Sequence, residues 1–441
     1  MTALKHQAEQ IVLQAIEAVK PWPLIHARVK LQGDSLQVDR HRWRLSAFRK
    51  LWVIGFGKAS AYMAQALENL LGERITGGMV IVKYGHTAPC HRVQVREAGH
   101  PVLDEAGLAA TQELLQLVQQ VEEQDLVLCL ISGGGSALLE SPPGEIRLDE
   151  LRHTFRLLLA SGATIEEINA VRKHLSRVKG GQLAREIYPA TCVSLILSDV
   201  IGDPLDAIAS GPTAPDGTTF QMAWKVIEKY ELEDRLPQSV REYLQRGLLG
   251  KEPETVSEGD PIWQRVTNIV IGNNRLALQK AAEVARRLGY QPFLLTSRLQ
   301  GEAREVARVL AAIIQEIQTT GQPIHRPACL LVGGETTVRV TGRGKGGRNQ
   351  ELALALLLAM GRQALPYVFV SCGSDGTDGP TDAAGGWADP SCWGLIEAQN
   401  LNPDTFLFNN DAYTFLKKIH GLLMTGPTGT NVMDIMVGLI P

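Results

Sequence analysis

Lys58 stands in the segment Val53-Ile54-Gly55-Phe56-Gly57-Lys58-Ala59-Ser60, where an apolar run gives way to a Gly-x-Gly turn and then to helical spacing. Such a turn brings backbone N–H groups and an ammonium to the start of a helix, which suits an anion. It is not a Walker A loop, whose spacer is longer than the single residue between Gly55 and Gly57. Nor does it complete a dinucleotide fingerprint, because Ser60 replaces the third glycine and the next strand, MVIVKYG, carries Lys83 rather than a ribose-binding acid. The plain alternative for Lys58 is a solvated lysine at a turn.

Ser132-Gly133-Gly134-Gly135-Ser136 follows the apolar run LVLCLI. Consecutive glycines let the backbone curl into a nest of N–H donors and let a ligand come close, and the flanking serines add hydroxyls. A tight strand-to-helix turn explains the same residues without a ligand. After a further strand, SLILS, comes Asp199, which can hold Mg²⁺ or accept a proton from a substrate hydroxyl. Asp203, before Pro204, reads equally well as a turn residue. Between these segments the run from Asn169 to Gly181 is dense in positive charge, and helical spacing puts Arg172, Ser176 and Lys179 on one face. That face is either solvated or a wall for phosphate or carboxylate; His174 reads as a packed or surface histidine.

Two more segments lie further along. Gly333, Gly334 and Glu335 close an apolar run and lead to a loop in which Gly342, Gly344, Gly346 and Gly347 interleave with Arg343, Lys345 and Arg348, ahead of Asn349 and an apolar helix. This flexible cationic loop at a helix N-terminus is the most phosphate-friendly stretch of the chain; a mobile surface loop is the bland reading. Finally Asp375, Asp378 and Asp382 gather after a strand, which suits a hydrated divalent cation, with Asp375 as the expected ligand beside Asp199. Cationic glycine loops with strand-end carboxylates ask for a polyanion accompanied by a metal. ATP with Mg²⁺ as cofactor, held in an interdomain cleft, meets both demands.

The elements that must position these groups are short apolar runs ending in glycine and followed by helical periodicity, the pattern of parallel strands joined by crossover helices. Strands are expected at 51–55, 79–82, 126–131 and 193–197, and in the second half at 268–271, 292–295, 329–332 and 367–371. Helices fit 148–160, 166–185, 275–288, 302–317 and 349–360. With 441 residues the chain exceeds one ordinary core. The polar stretch 247–261 is the expected boundary between a larger Rossmann-like doubly wound domain, 1–246, and a smaller α/β domain, 262–441, whose last segment is expected to pack back on the first.

A net charge of −3 supplies no field for nucleic acid or anionic lipid, so an anion must be held locally. The cysteines are scattered without metal-ligand spacing, and most lie in apolar runs, which fits a reducing compartment. The first twenty residues read as an amphipathic helix rather than a signal peptide or membrane span, making the cytoplasm the simplest location.

The motifs VIGFGKAS, AGHPVLDEAG, LISGGGSALLESP, INAVRKHLSRVKGG, LILSDVIGDPLDAIASGPTAPD, LLVGGETTV, GKGGRNQELAL, CGSDGTDGPTDAAG and TGPTGTNVMD occur in an order that resembles the glycerate 2-kinases of the MOFRL type, from about Gln7 to the end. The resemblance implies phosphoryl transfer from ATP to the 2-hydroxyl of D-glycerate with Mg²⁺, and it singles out Lys58, Asp199 and Arg348 as catalytic. Lys58 and Arg348 are then expected to stabilise phosphoryl charge, Asp199 to hold metal or take a proton, and Ser132–Ser136 with Arg172 to meet the substrate carboxylate. Rival readings are an NAD(P)-dependent hydroxypyruvate reductase, opposed by the missing ribose-binding acid, and a non-catalytic nucleotide-binding regulator, which would have no use for Asp199. The partners expected are ATP and D-glycerate, with no nucleic acid and no membrane, in a monomer or homodimer.

Overall fold

Apolar runs become strands throughout residues 3–441, the part of the chain that the structure, a computed structural model, describes. It divides into a larger unit, Leu24–Ile271, and a smaller one, Met1–Pro23 with Gly272–Pro441.

The larger unit begins with an antiparallel meander, β1 (Val29–Gln32), β2 (Ser35–Val38) and β3 (His41–Arg44). Its main sheet holds β4 (Leu51–Phe56), β5 (Gly77–Lys83), β6 (Val93–Ala98), β7 (Leu126–Ser132), β8 (Thr191–Leu197) and β9 (Val266–Gly272), in the order β6-β5-β4-β7-β8-β9. Pairing is parallel from β6 through to β8. Every residue of β4 and β7 is buried, as expected of central parallel strands covered on both faces. The chain moves outward from β4 to β6, then resumes on the other side of β4 with β7. This is the doubly wound order, and its switch point lies between β4 and β7. The helices Leu148–Ala160, Ile165–His174, Phe220–Lys229 and Gln238–Leu248 share a separate apolar cluster built on Phe155, Val171, Phe220 and Leu244.

The smaller unit contains β10 (Gln291–Leu299), β11 (Ala328–Gly334), β12 (Val368–Gly373), β13 (Gly385–Ala388), β14 (Leu422–Leu423) and β15 (Asp434–Ile440), ordered β10-β11-β15-β12-β13-β14. Met436 and Ile440 of β15 join the apolar cluster formed with the helices Ala303–Thr320 and Arg348–Met360. The N-terminal helix Ala3–Ala18 packs with this unit, against the helix Asn274–Arg287 and against β15.

Several expectations change. Only β10 and β11 pair in parallel in the second sheet; its other pairs are antiparallel. The run at 268–271 forms β9 at the edge of the first sheet, so the compact units part after Ile271 rather than within 247–261. The last segment, expected to return to the first domain, is instead the strand between β11 and β12. The helix expected over 166–185 ends at His174 and resumes at Gln182. Gly180 and Gly181 there take φ of +57° and +80°, and a Cβ on Gly181 would lie 2.7 Å from Val256. Arg172, Ser176 and Lys179 therefore do not share a helix face.

Candidate active site

The loops after β4, β7 and β8 meet at the switch point. Lys58 N donates to Gly133 O at 2.9 Å and Ala59 N to Ser132 Oγ at 3.0 Å, fastening the first loop to the second. Gly57 has φ +123°, and a Cβ there would lie 2.3 Å from both Ser132 O and Ser132 Oγ. The glycine is thus required by conformation and by close approach. Lys58 lies two residues before the start of the helix Ser60–Leu71, whose N-terminus carries positive potential.

Gly133 brings the third loop in. A Cβ on it would sit 2.0 Å from Asp199 Oδ2, so the carboxylate lies directly against the glycine backbone. Gly134, at φ +83°, lies beside Lys58 Cγ and the edge of His100. The structure therefore brings Lys58, the Gly133–Gly135 turn and Asp199 together within one unit. Not every residue of these loops faces outward. Gly55 packs on Leu130, Gly135 on Phe56 and Ala209, and Ser132 is buried with its hydroxyl engaged by Ala59 and Ser60. These shape the turn from within, and Ser132, expected at the substrate carboxylate, is turned inward.

Ser136 Oγ lies 2.9 Å from Ser210 Oγ, which reaches Asn169 Oδ1, which in turn accepts from Arg172 Nη1 at 3.0 Å. Ala209 and Ser210 hold φ of +51° and +64°, left-handed values uncommon outside glycine, and so store strain beside the nest. Arg172 also lies over the Phe155 ring, 5.1 Å from its centroid. Gly134, Ser136, Arg172 and Phe155 line a cavity of about 560 Å³ together with His100, Arg152, Arg156, Val102 and Leu159. Both lysines of the basic run and its histidine have structural duties. Lys173 pairs with Asp216 at 3.1 Å, Lys179 with Glu140 at 2.7 Å, and His174 sits between Ala170 O and Glu254. His174 is packed, as expected.

His100 was given no role from the sequence, although it stands in the quoted segment AGHPVLDEAG. Burial pushes its imidazole down, and Lys58, Lys83 and His86 add to this, to about 4. It is therefore neutral near pH 7.

In the smaller unit Arg348 is the first residue of its helix, and its guanidinium is already engaged. Nε and Nη2 donate to Asp434 at 2.7 and 2.9 Å, and Nη1 lies 2.7 Å from Glu335. Burial alone would lower its pKa, but Asp434 and Glu335 outweigh this and raise it. Asn349, expected to touch ligand, is fully buried; it donates to Asp434 and Asp378 and accepts from Ser371 Oγ. Its task is to hold the two acids. Gly333 packs on Asn274, Gly334 on Leu299 and Gly347 on Asp378, so close backbone packing accounts for all three. Lys345 is exposed, with Nζ 4.6 Å from the Tyr413 ring centroid.

The acidic segment does not act as one cluster. Asp375 accepts from Thr377, Asp378 from the backbone N–H groups of Asn349 and Gln350, and Asp382 from Tyr413. Asp378 thereby satisfies N–H groups at the start of the helix Arg348–Met360, and burial raises its pKa to about 6. Among the described residues no group of three or more His, Cys, Asp or Glu side chains is arranged to hold a metal ion. Sequence reasoning also missed Asp434, because its partner Arg348 is 86 residues away.

Comparison with known proteins gives a consistent picture. Residues 7–245 match a domain of unknown function, DUF4147, and residues 328–434 match the MOFRL family. The chain is 42% identical to a glycerate 2-kinase of Pyrococcus horikoshii over 98% of its own length and 96% of the relative. It is 44% identical to a D-glycerate 2-kinase of Thermotoga maritima, covering 99% of each chain. The crystal structure of a glycerate kinase from Thermotoga maritima superposes with a TM-score of 0.88 at 42% identity, covering 100% of both chains.

Proposed function

We propose that this chain, which belongs to the MOFRL-type glycerate 2-kinase family, transfers the γ-phosphoryl group of ATP to the 2-hydroxyl of D-glycerate. What supports this is the meeting of Lys58, the Gly133–Gly135 turn and Asp199 at the carboxyl ends of three adjacent strands. In doubly wound sheets a ligand binds there, and phosphoryl transfer needs mainly positioning and charge stabilisation.

The acceptor hydroxyl oxygen forms a bond to the γ-phosphorus while the bond from that phosphorus to the β–γ bridging oxygen breaks, and ADP leaves. The N–H groups of the glycine turn and the Lys58 ammonium stabilise charge on the transferring group. Arg348 is assigned to phosphoryl charge as well. Arg172, fixed by Asn169 and Phe155, takes the glycerate carboxylate, with Ser136 at the same wall. Asp199 has two duties open to a strand-end carboxylate: holding the Mg²⁺ that accompanies ATP and receiving the hydroxyl proton. Its acceptor-only oxygens fit Mg²⁺, which takes few protein carboxylates and fills its shell with water and phosphate. When bound, the cation neutralises phosphate charge. D199N separates the two duties, since excess Mn²⁺ restores activity only if cation binding is what was lost.

We also place the protein in the cytoplasm. Its six cysteines are free and five are buried, as suits a reducing compartment, and among the described residues no helix is long and apolar enough to cross a membrane.

The test is incubation with ATP, Mg²⁺ and D-glycerate followed by phosphorus NMR. The expected product carries phosphorus on the C2 oxygen. Phosphorus on C3 would overturn the position, and unchanged ATP would overturn the kinase reading.

A further inference from the structure

His100 is a polar group at the acceptor cavity whose chemistry the reaction above does not use. The other polar groups there have duties. Arg172 is held by Asn169 and suited to a carboxylate, Arg152 Nε donates to Leu103 O at 2.7 Å, Arg156 Nε donates to Arg152 O at 3.3 Å, and Ser136 is tied to Ser210. Val102, Phe155 and Leu159 make much of the remaining wall apolar. His100 lies against Gly134 with its Cδ2–Nε2 edge, each atom 2.9 Å from where a Cβ would stand, and so touches the nest as well as the cavity. Among the described residues no protein group hydrogen-bonds either ring nitrogen.

Glycerate carries three polar groups into this space. The carboxylate suits Arg172, and the 2-hydroxyl must face the phosphoryl group. The 3-hydroxyl is left, and burying it against the apolar wall without a partner would cost free energy. Resting on the kinase reading above, we propose that His100 hydrogen-bonds the acceptor's 3-hydroxyl and makes the cavity selective for 2,3-dihydroxy carboxylates over 2-hydroxy carboxylates. An uncharged imidazole supports this, because it serves a hydroxyl without competing with Arg172 for the carboxylate; burial, and then the nearby Lys58 and Lys83, keep the ring in that form.

The test is calorimetric titration of D-glycerate and D-lactate, which lacks the 3-hydroxyl, into the full chain saturated with Mg²⁺ and a non-hydrolysable ATP analogue. The wild type is expected to bind glycerate about tenfold more tightly than lactate. H100A should remove most of that preference by weakening glycerate alone, and H100Q, whose amide can still reach a hydroxyl, should restore part of it. Equal weakening of both acids in H100A and H100Q, or no preference in the wild type, would overturn the assignment. Should H100A fail to fold, the wild-type preference and H100Q still decide it. Failure of the kinase reading looks different: glycerate binds with the stated preference, yet ATP is not consumed.

Discussion

The loops Ser132–Ser136 and Gly342–Gly347 are both rich in glycine and polar residues and both lead into a helix, yet their glycines serve different ends. In the first, Gly133 and Gly134 bring the backbone against Asp199, Lys58 and His100 at the rim of a cavity. In the second, a Cβ on Gly342 would lie 2.2 Å from Asn409 O, on Gly344 2.3 Å from Asp411 Cβ, and on Gly347 2.3 Å from Asp378 Cγ. The segment 409–411 also receives the backbone N–H groups of Gly342, Arg343, Gly344 and Lys345. A glycine-rich cationic loop is therefore an open anion nest only when no neighbouring chain has claimed its N–H groups. The same backbone chemistry otherwise docks a loop onto the protein itself.

The sharpest way to break this contrast is to remove the cation fastened beside the first loop and one cation within the second. K58A should lower kcat by roughly 100- to 1000-fold with little change in the unfolding midpoint, as for loss of a charge-stabilising donor. K345A, exposed over Tyr413, should change kcat by less than about threefold. Comparable losses in steady-state assays would erase the distinction.

A second pair exchanges activity for stability. D434A leaves the Arg348 guanidinium without its bidentate partner beside the buried position Asp434 vacates, and should cost about 3–5 kcal/mol in urea unfolding. G133A, by contrast, pushes on the Asp199 carboxylate and should cut kcat by about tenfold or more while costing little stability. G344A should do the reverse, losing about 1–3 kcal/mol of stability through a backbone clash while retaining kcat. If G344A proves as inactive as G133A while remaining folded, the second loop is a ligand site after all.

The smallest expected effect is in pH dependence. His100 has a folded pKa of about 4, below its ordinary value. Its neutral form is therefore favoured in the native state, and that contribution is full above about pH 6.5. It is lost progressively as pH falls toward 4, because the unfolded chain takes up the proton first. Urea unfolding from pH 7 to 4 should show a steeper decline for the wild type than for H100Q; parallel curves would mean His100 does not titrate in this way.

Much of the larger unit was legible because its signals are local. A buried parallel strand is a continuous apolar run, and β4, β7 and β8 end within two residues of the expected positions. The residues just beyond those ends then mark the crevice, which is how Lys58, Gly133 and Asp199 come from the sequence together. Legibility failed where long-range pairing decided the outcome. The run 268–271 reads as a strand from composition, but only its edge pairing assigns it to the first sheet. The basic run 169–181 has helical spacing, but Gly180 and Gly181 break it, and ion pairs with Asp216 and Glu140 take up Lys173 and Lys179. Asn349 looks like a ligand contact until Asp378 and Asp434 are seen beside it.

The amino-acid order was enough for the α/β class, the apolar strands, the glycine turns that follow them and the motif set that marks the family, since each depends on residues close together in the chain. Only the folded chain separated groups that line the cavity from groups that face another part of the protein. That choice rests on contacts between residues tens of positions apart, such as Arg348 with Asp434 and Lys58 with Gly133. A side chain's type limits which bonds it can make, and its tertiary neighbours decide which are left for substrate.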